Sequence, residues 1–429
     1  MVVDTEEQYN EFLTKFELED CILVPVLSDI KLHPKENSLS LLYAKFFDGE
    51  DYILPFNHSE AINLTEDHLQ KLTNSNNKKY TYDKKRLLHI ANFKNVYDIN
   101  LLYYMDTNHP FDIYEVDTNA HRYFTTKFYH KKNLNKVIPI LKHLEYCRKL
   151  VKLLEPYCNK NVDSDIMTYN NDVIESLTYM ESSGLQRNKS VVYSEYNPYT
   201  STGRPSNRFG GINFAALNKN DGSRKSFVSR FGNRGVLVEY DFDGYHLRLI
   251  ADLVGYELPE GSIHQYLAEQ YGVDYNESKA LSFKFLYGGI PKEISDSIPF
   301  FNEVKKYINK IWKEYKREEF IVSDIYKKRI YKKNLRNMNK NKVFNYLVQL
   351  LETESNMKML SRLIPQLESY DSKLVLYSYD SFLFDFCLND GLEFLKKVKD
   401  VIERHDKFPT KVSWGPNYHE MKDITGRFV

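Results

Sequence analysis

The sequence predicts an α+β protein of more than one domain. Its 429 residues are too many for one ordinary hydrophobic core. β-rich runs at 21–57, 235–243 and 373–386 stand apart from long stretches in which apolar residues recur at helical spacing. The composition, 42% hydrophobic and 28% charged with few Gly and Pro, is that of a soluble globular chain.

The N-terminus, MVVDTEEQYNEF, is acidic where a signal or transit peptide would be basic. No apolar run reaches the roughly 18 residues of a membrane span, so the expectation is a cytoplasmic protein with no membrane partner. Cys21, Cys147, Cys158 and Cys387 are scattered without CxxC spacing and read as reduced thiols. CILVPVLSDIKL reads as a strand, and SLSLLYAKFF and YILPF as a pair joined by the turn DGED. Residues 59–120 alternate helical and short extended pieces around a polar loop at 74–79, which makes the first 120 or so residues an α/β unit.

Helical period returns at 134–190, where DVIESLTYMESSG ends in the C-cap residue Gly184. Residues 194–235 hold turn chemistry and several Arg. GVLVEYDFD (235–243) is a strand with carboxylates at its C-terminal end. Several helical segments follow, then KLVLYSYDSFLFDF (373–386), a hairpin with its tip near Tyr379, Asp380 and Ser381. The helix GLEFLKKVKDVIERH and the strand TKVSWG come last. No internal repeat or low-complexity tract appears.

Net charge is zero, yet 279–343 carries 17 Lys and Arg against 7 Asp and Glu. That is the footprint of a phosphate-backbone binder, or alternatively a solvated helix face. Asp241 ends an apolar strand and Asp380 sits in an apolar hairpin. Burying a carboxylate among apolar side chains is costly unless a cation or hydrogen bonds offset it. Two such acids brought together suit a pair of Mg²⁺ ions; apart, they are ordinary strand-end aspartates. Lys279, Phe283 and Tyr287 recur at helical spacing and share one face. A lysine and two aromatics so placed suit phosphate and nucleobase, or simply a helix burying rings in a core.

These residues carry a family resemblance. YDFDGYHLRLIADL resembles motif A of family A (polymerase I-like) DNA polymerases, usually written DYSQIELRxxA. KALSFKFLYG resembles motif B, KxxxFGxxYG, and YSYDSFLFDF resembles motif C, whose core is HDE. STGRPSNR with GGINFAALNKNDGSRKSF resembles TGRLSS…PNLQNIP…IRxAF, and GSIHQYLAEQYG resembles GDIHxxTA. NYLVQLLETESN resembles NxxxQGTAAD, and WGPNYHEM resembles the closing GxNWxEA. The likeness spans roughly Tyr193 to Lys422, and its strength lies in the common order of degenerate motifs.

The resemblance implies a right-hand polymerase fold with an N-terminal α/β ribonuclease H-like, exonuclease-like domain. It implies exonuclease-like residues 1–130, a short helical thumb at 131–195, palm at 196–265 and 346–429, and fingers at 266–345. It implies template-directed addition of deoxynucleotides to a primer 3′ end. Primer-template DNA, dNTPs and two Mg²⁺ ions (Mn²⁺ as a substitute) are then its partners, with a processivity factor or replisome protein besides. By the motif matches, Asp241 and Asp380 are catalytic, and with the Phe242 carbonyl they hold metal. His246, His264, Lys279, Phe283 and Tyr287 then form the nucleotide site. Arg204, Asn213, Arg224, Arg248, Asn345, Gln349 and Tyr379 meet DNA.

The chain departs from the pattern in several places. The motif A glutamate is His246, which removes the usual guard against ribonucleotides; a single-subunit RNA polymerase is therefore the rival enzyme. The motif B arginine is Tyr275, Lys284 replaces a glycine, and motif C reads Tyr-Asp-Ser. Asp243 is an extra acid, on the same face as Asp241 if the strand continues. The N-terminal region lacks the DxE pair of a proofreading nuclease, offering only Asp29 and Asp83, so it reads as vestigial. A catalytically inactive primer-template-binding protein is the rival of another class. Compactness and an AT-rich residue usage suggest a phage or mobile-element origin.

Overall fold

A computed structural model describes residues 1–29, 32–111, 135–158, 163–207, 212–404 and 407–427. The tail of the 59–120 reading and Arg208 to Gly211 of the TGR-like segment lie outside them. The chain divides into two compact units, Met1–Asp163 and Ser164–Val429. The division falls within the helical stretch 131–195.

The first unit opens with α1 (Glu6–Leu18), started by a capping box in which Thr5 and Gln8 each satisfy the other's backbone N–H. Its Tyr9, Phe12 and Phe16 are buried. There follow β1 (Cys21–Leu27), β2 (Leu39–Phe46), β3 (Asp51–Pro55), α2 (Glu66–Thr73), β4 (Lys79–Thr81), α3 (Lys84–Ile90), β5 (Val96–Asp98), α4 (Ile99–Thr107) and α5 (Ile140–Cys158). The five-stranded sheet has the order β3-β2-β1-β4-β5. β1 to β3 run antiparallel, and β4 and β5 extend the sheet in parallel. β1 is apolar throughout because both its faces are covered. The DGED turn does join a hairpin, with Leu41 opposite Pro55.

The second unit contains α6 (Ser164–Ser183), β6 (Leu185–Arg187), β7 (Ser190–Val192) and β8 (Gly235–Phe242). A helical block follows: α7 (Tyr245–Val254), α8 (Ile263–Tyr271), α9 (Tyr275–Gly288), α10 (Lys292–Ser297) and α11 (Pro299–Glu318). A small hairpin, β9 (Phe320–Val322) and β10 (Arg329–Tyr331), leads to α12 (Lys340–Leu367). The chain then returns to the sheet with β11 (Lys373–Ser378), β12 (Ser381–Cys387), α13 (Gly391–Glu403), β13 (Thr410–Gly415) and β14 (Lys422–Asp423).

The second sheet is wholly antiparallel, in the order β11-β12-β8-β13-β14, so β8 lies at its centre. The helical block has its own core, built on Ile250, Ile263, Leu267, Phe300, Phe301 and Leu350. Asp385 of β12 fastens the sheet to the preceding loop. Fully buried, it accepts from Ser229 Oγ at 2.6 Å and from Arg230 Nε at 2.8 Å. All four cysteines are buried and free. Among the described residues no helix is long and apolar enough to cross a membrane.

Candidate active site

β8 delivers Glu239 and Asp241 on one face, two residues apart. The strand ends at Phe242, so Asp243 lies in the turn, yet it lines the same cleft as Asp241. Glu239, on the strand itself, is a further acid there. Gly244 makes the turn: its φ of +61° is left-handed, and a Cβ there would lie 2.2 Å from Ile263 Cγ2. The chain passes at once into α7, with Tyr245 stacked on Phe242 at 4.1 Å and His246 one residue further on.

The β11–β12 hairpin supplies the other carboxylate. Ser378 pairs with Ser381, leaving Tyr379 and Asp380 as the two-residue turn. Ser381 is the register partner of Asp241, and Phe242 N donates to the Asp380 carbonyl at 3.0 Å. The two aspartates far apart in sequence are thus brought side by side, one at the end of β8 and the other in the turn that leads into its neighbour β12. Tyr379 adopts a φ of +63°, unusual for a residue with a side chain. Two contacts hold it: Asn356 Nδ2 donates to its carbonyl at 2.8 Å, and the Arg204 guanidinium lies 3.7 Å over its ring.

Both aspartates line a cleft of about 780 Å³. Burial, Asp380 and Glu239 push the Asp241 carboxyl up to about 7, against a weak pull from Lys219 at 3.9 Å. Two fifths of the Asp241 side chain still faces the open cleft, so water moderates the effect. Burial and then Glu352 push Asp380 in the same direction.

The helix α9 forms another wall with Lys279, Phe283 and Tyr287. Asp274 caps it by accepting from Asn276 N and Glu277 N. The Phe283 and Tyr287 rings lie near-parallel, 6.1 Å apart. Tyr287 hydroxyl bonds to His246 Nδ1. His264 is buried, which lowers its pKa. Its Nδ1 has no hydrogen-bond partner among the described residues. A neutral ring there can offer an N–H but little charge.

On α12, Asn345, Gln349 and Glu352 follow at helical spacing and reach the same cleft. Gln349 donates to Asn345 and accepts from Thr202 Oγ1. Arg224 lines the cleft while stacked 4.3 Å over Tyr418, whose hydroxyl donates to Glu239 at 2.9 Å.

Thirteen of the fifteen residues given site roles by the motif matches meet at this cleft, and Asp243, Tyr275 and Ser381 line it as well. Asn213 and Arg248 are not among its lining residues. Asn213 is exposed beside a short 3₁₀ turn. Arg248 instead pins the turn, donating to the carbonyls of Asp243 at 2.9 Å and Gly261 at 2.7 Å. Sequence reasoning passed over Glu239, Glu352, Lys219, Lys411 and Tyr418. The alternation of Glu239 with Asp241 was a usable signal, as was the spacing of Glu352 from Gln349. Lys411 becomes visible only through its register opposite Asp241.

No protein-family model matches the chain, and no curated protein sequence matches it. Among solved structures it is similar to the POL domain of Pol1 from M. smegmatis, determined in complex with DNA primer-template and dNTP. The TM-score is 0.69 at 12% identity, over 98% of this chain and 100% of that one. The fold is therefore a right-hand polymerase fold of the polymerase I kind.

Proposed function

We propose that the chain is a template-directed DNA polymerase that extends a primer 3′ end with deoxynucleotides. The observation that carries the reading is the pairing of Asp241 with the Asp380 turn across one cleft from Lys279, Phe283 and Tyr287. Within it, 196–265 and 346–429 act as palm, 266–345 as fingers and 131–195 as a short thumb.

The cleft suits a hard divalent cation. Two carboxylates, one on β8 and one in the adjoining β11–β12 turn, are both driven toward neutrality by burial and neighbouring acids, a penalty that a cation reverses. Asp241 and Asp380 are the side chains to hold magnesium. Held there, such ions would supply charge neutralisation for 3′-oxygen attack and pyrophosphate departure.

The protein's own part is positioning. Lys279 offsets triphosphate charge, and the His264 ring, which lines the same cleft, stands beside the phosphates. Phe283 keeps 38% of its surface free for a base to stack upon. His246 and Tyr287, joined by their hydrogen bond, form the wall beside the sugar. Arg204, Asn345 and Gln349 offer donors suited to minor-groove acceptors that every base pair shares.

The first unit reads as a vestigial nuclease. β1 contains no acid, and two acids of the unit serve the backbone. Asp83 caps α3 through Arg86 N, and Asp98 accepts from Lys84 N and Leu101 N, both at 2.7 Å. These two carboxylates are spent in this way and offer no cage for a metal pair.

Primer extension with Mg²⁺, comparing the wild type with Asp380→Ala and Asp241→Ala, tests the reading. Extension by the wild type and none by either variant is expected. A wild type that binds primer-template without extending it would establish the inactive-binder alternative. His246 favours one second reading, ribonucleotide polymerisation, and parallel reactions with dNTPs and rNTPs separate the two.

A further inference from the structure

We propose that Glu352 is the residue that sets sugar selectivity in this cleft, by fixing the tautomer of His246; the inference rests on the polymerase reading. Glu352 is fully buried, where an uncompensated carboxylate is costly. An arginine and a histidine face it. Arg204 Nη2 donates to Oε1 at 3.2 Å and Arg204 Nε lies 2.9 Å from Oε2. His246 Nε2 lies 3.3 Å from Oε1, at an angle too bent for a full hydrogen bond, so the contact is electrostatic.

That contact decides where the histidine proton sits. A nitrogen lone pair turned toward a carboxylate oxygen is repelled, so Nε2 carries the hydrogen. Nδ1 is then the acceptor, and the Tyr287 hydroxyl donates to it. Neither ring nitrogen is offered to the cleft: Nδ1 is bonded to Tyr287 on α9, and Nε2, without a full hydrogen bond, is buried against Glu352 on α12. What the ring has left for the cleft is carbon, and it is held from both sides.

A deoxyribose needs nothing more from such a wall. A 2′-hydroxyl brought against it is desolvated with no partner, a loss worth roughly 10- to 100-fold in discrimination. Glu352 touches no substrate and acts as a positioning residue.

Glu352→Gln keeps the shape and removes the charge that favours Nε2–H; with the hydrogen on Nδ1 the Tyr287 hydroxyl becomes the acceptor and its own hydrogen is freed for a 2′-hydroxyl. The experiment measures kcat/KM for a dNTP and the matching rNTP on one primer-template, with the full chain. The dNTP-to-rNTP ratio should fall about tenfold or more, chiefly through a lower KM for the rNTP. ¹⁵N-histidine spectra should show His246 protonated on Nε2 in the wild type and mixed in the variant. A ratio within about twofold of wild type, whatever the absolute rates, overturns the proposal, because a merely structural ion pair slows both substrates alike. Should Glu352→Gln fail to fold, Tyr287→Phe cuts the other end of the relay and is read by the same ratio, an unmoved value again overturning it. A wild type that extends with neither nucleotide overturns the polymerase reading itself, a result distinct from an unmoved ratio.

Discussion

Replacing Asn356 with leucine should loosen the turn that carries Asp380. Asn356 is fully buried on α12 and makes four hydrogen bonds. Oδ1 accepts from Tyr245 hydroxyl at 2.7 Å and Arg404 Nη2 at 3.1 Å. Nδ2 donates to Tyr377 hydroxyl at 3.2 Å and to the Tyr379 carbonyl at 2.8 Å. Asn356→Leu keeps the branching and the number of side-chain heavy atoms, and orphans two groups with no easy substitute, the Tyr379 carbonyl and the Tyr245 hydroxyl hydrogen. Each orphan costs about 1–3 kcal/mol. Leucine burial returns about 1–2 kcal/mol. The net loss is then about 2–3 kcal/mol, lowering Tm by roughly 4–12 °C for a unit of this size. Tyr379, already at positive φ, loses the bond that holds it there, so Asp380 shifts relative to Asp241. Extension at 25 °C should fall further than the unfolded fraction explains, since most domains hold ~5–15 kcal/mol in reserve. Circular dichroism melts and primer extension on the same preparation give both numbers. A Tm within about 2 °C of wild type together with unaltered extension would refute the reasoning.

Gly244→Ala should cost at least about 3 kcal/mol, from the left-handed backbone and from overpacking against the fully buried Ile263, and thermal melts will show it. Asp385→Ala leaves the Arg230 guanidinium without its carboxylate and should destabilise by about 3–5 kcal/mol, read from denaturant midpoints; Asp385→Asn should cost less. In the first unit, burial pulls His143 down to about 4. The folded state thus binds fewer protons than the unfolded chain between pH 6.5 and 4, and stability is lost as pH falls through that window. Asp98, pushed up to about 7 by burial and Asp83, works in the opposite sense over the same range. The Tm of His143→Gln relative to wild type should therefore rise on acidification from pH 7 to 5; a constant difference would show that His143 does not titrate in this way.

Much of the site was legible because its chemistry breaks a pattern. GVLVEYDFD and KLVLYSYDSFLFDF are apolar runs, so an acid in either is conspicuous, and both proved to be strands of one sheet. Alternation could not say where β8 stops. The turn at Gly244 ends it one residue before Asp243, so the strand's second cleft-facing acid is Glu239. Glu352 escaped because a glutamate amid polar helical residues reads as solvated; only packing against Arg204 and His246 makes it a buried charge. Arg248 looked free for DNA, while the structure engages it with two loop carbonyls. In the first unit, β4 and β5 have three residues each, too short for periodicity to separate them from loop.

The placing of β8 between β12 and β13 also governs how the protein is born. Both partners of that strand are translated only after the whole helical stretch 245–367. At ~5–20 residues per second, the ribosome takes roughly ten to thirty-five seconds to supply them. Throughout that interval Asp241 rides on a strand with two open edges, while the helices, which share a core of their own, are free to settle. A stalled or prematurely released chain therefore carries the helical block and its lysine-rich segment, with Asp241 still lacking the turn that brings Asp380 beside it.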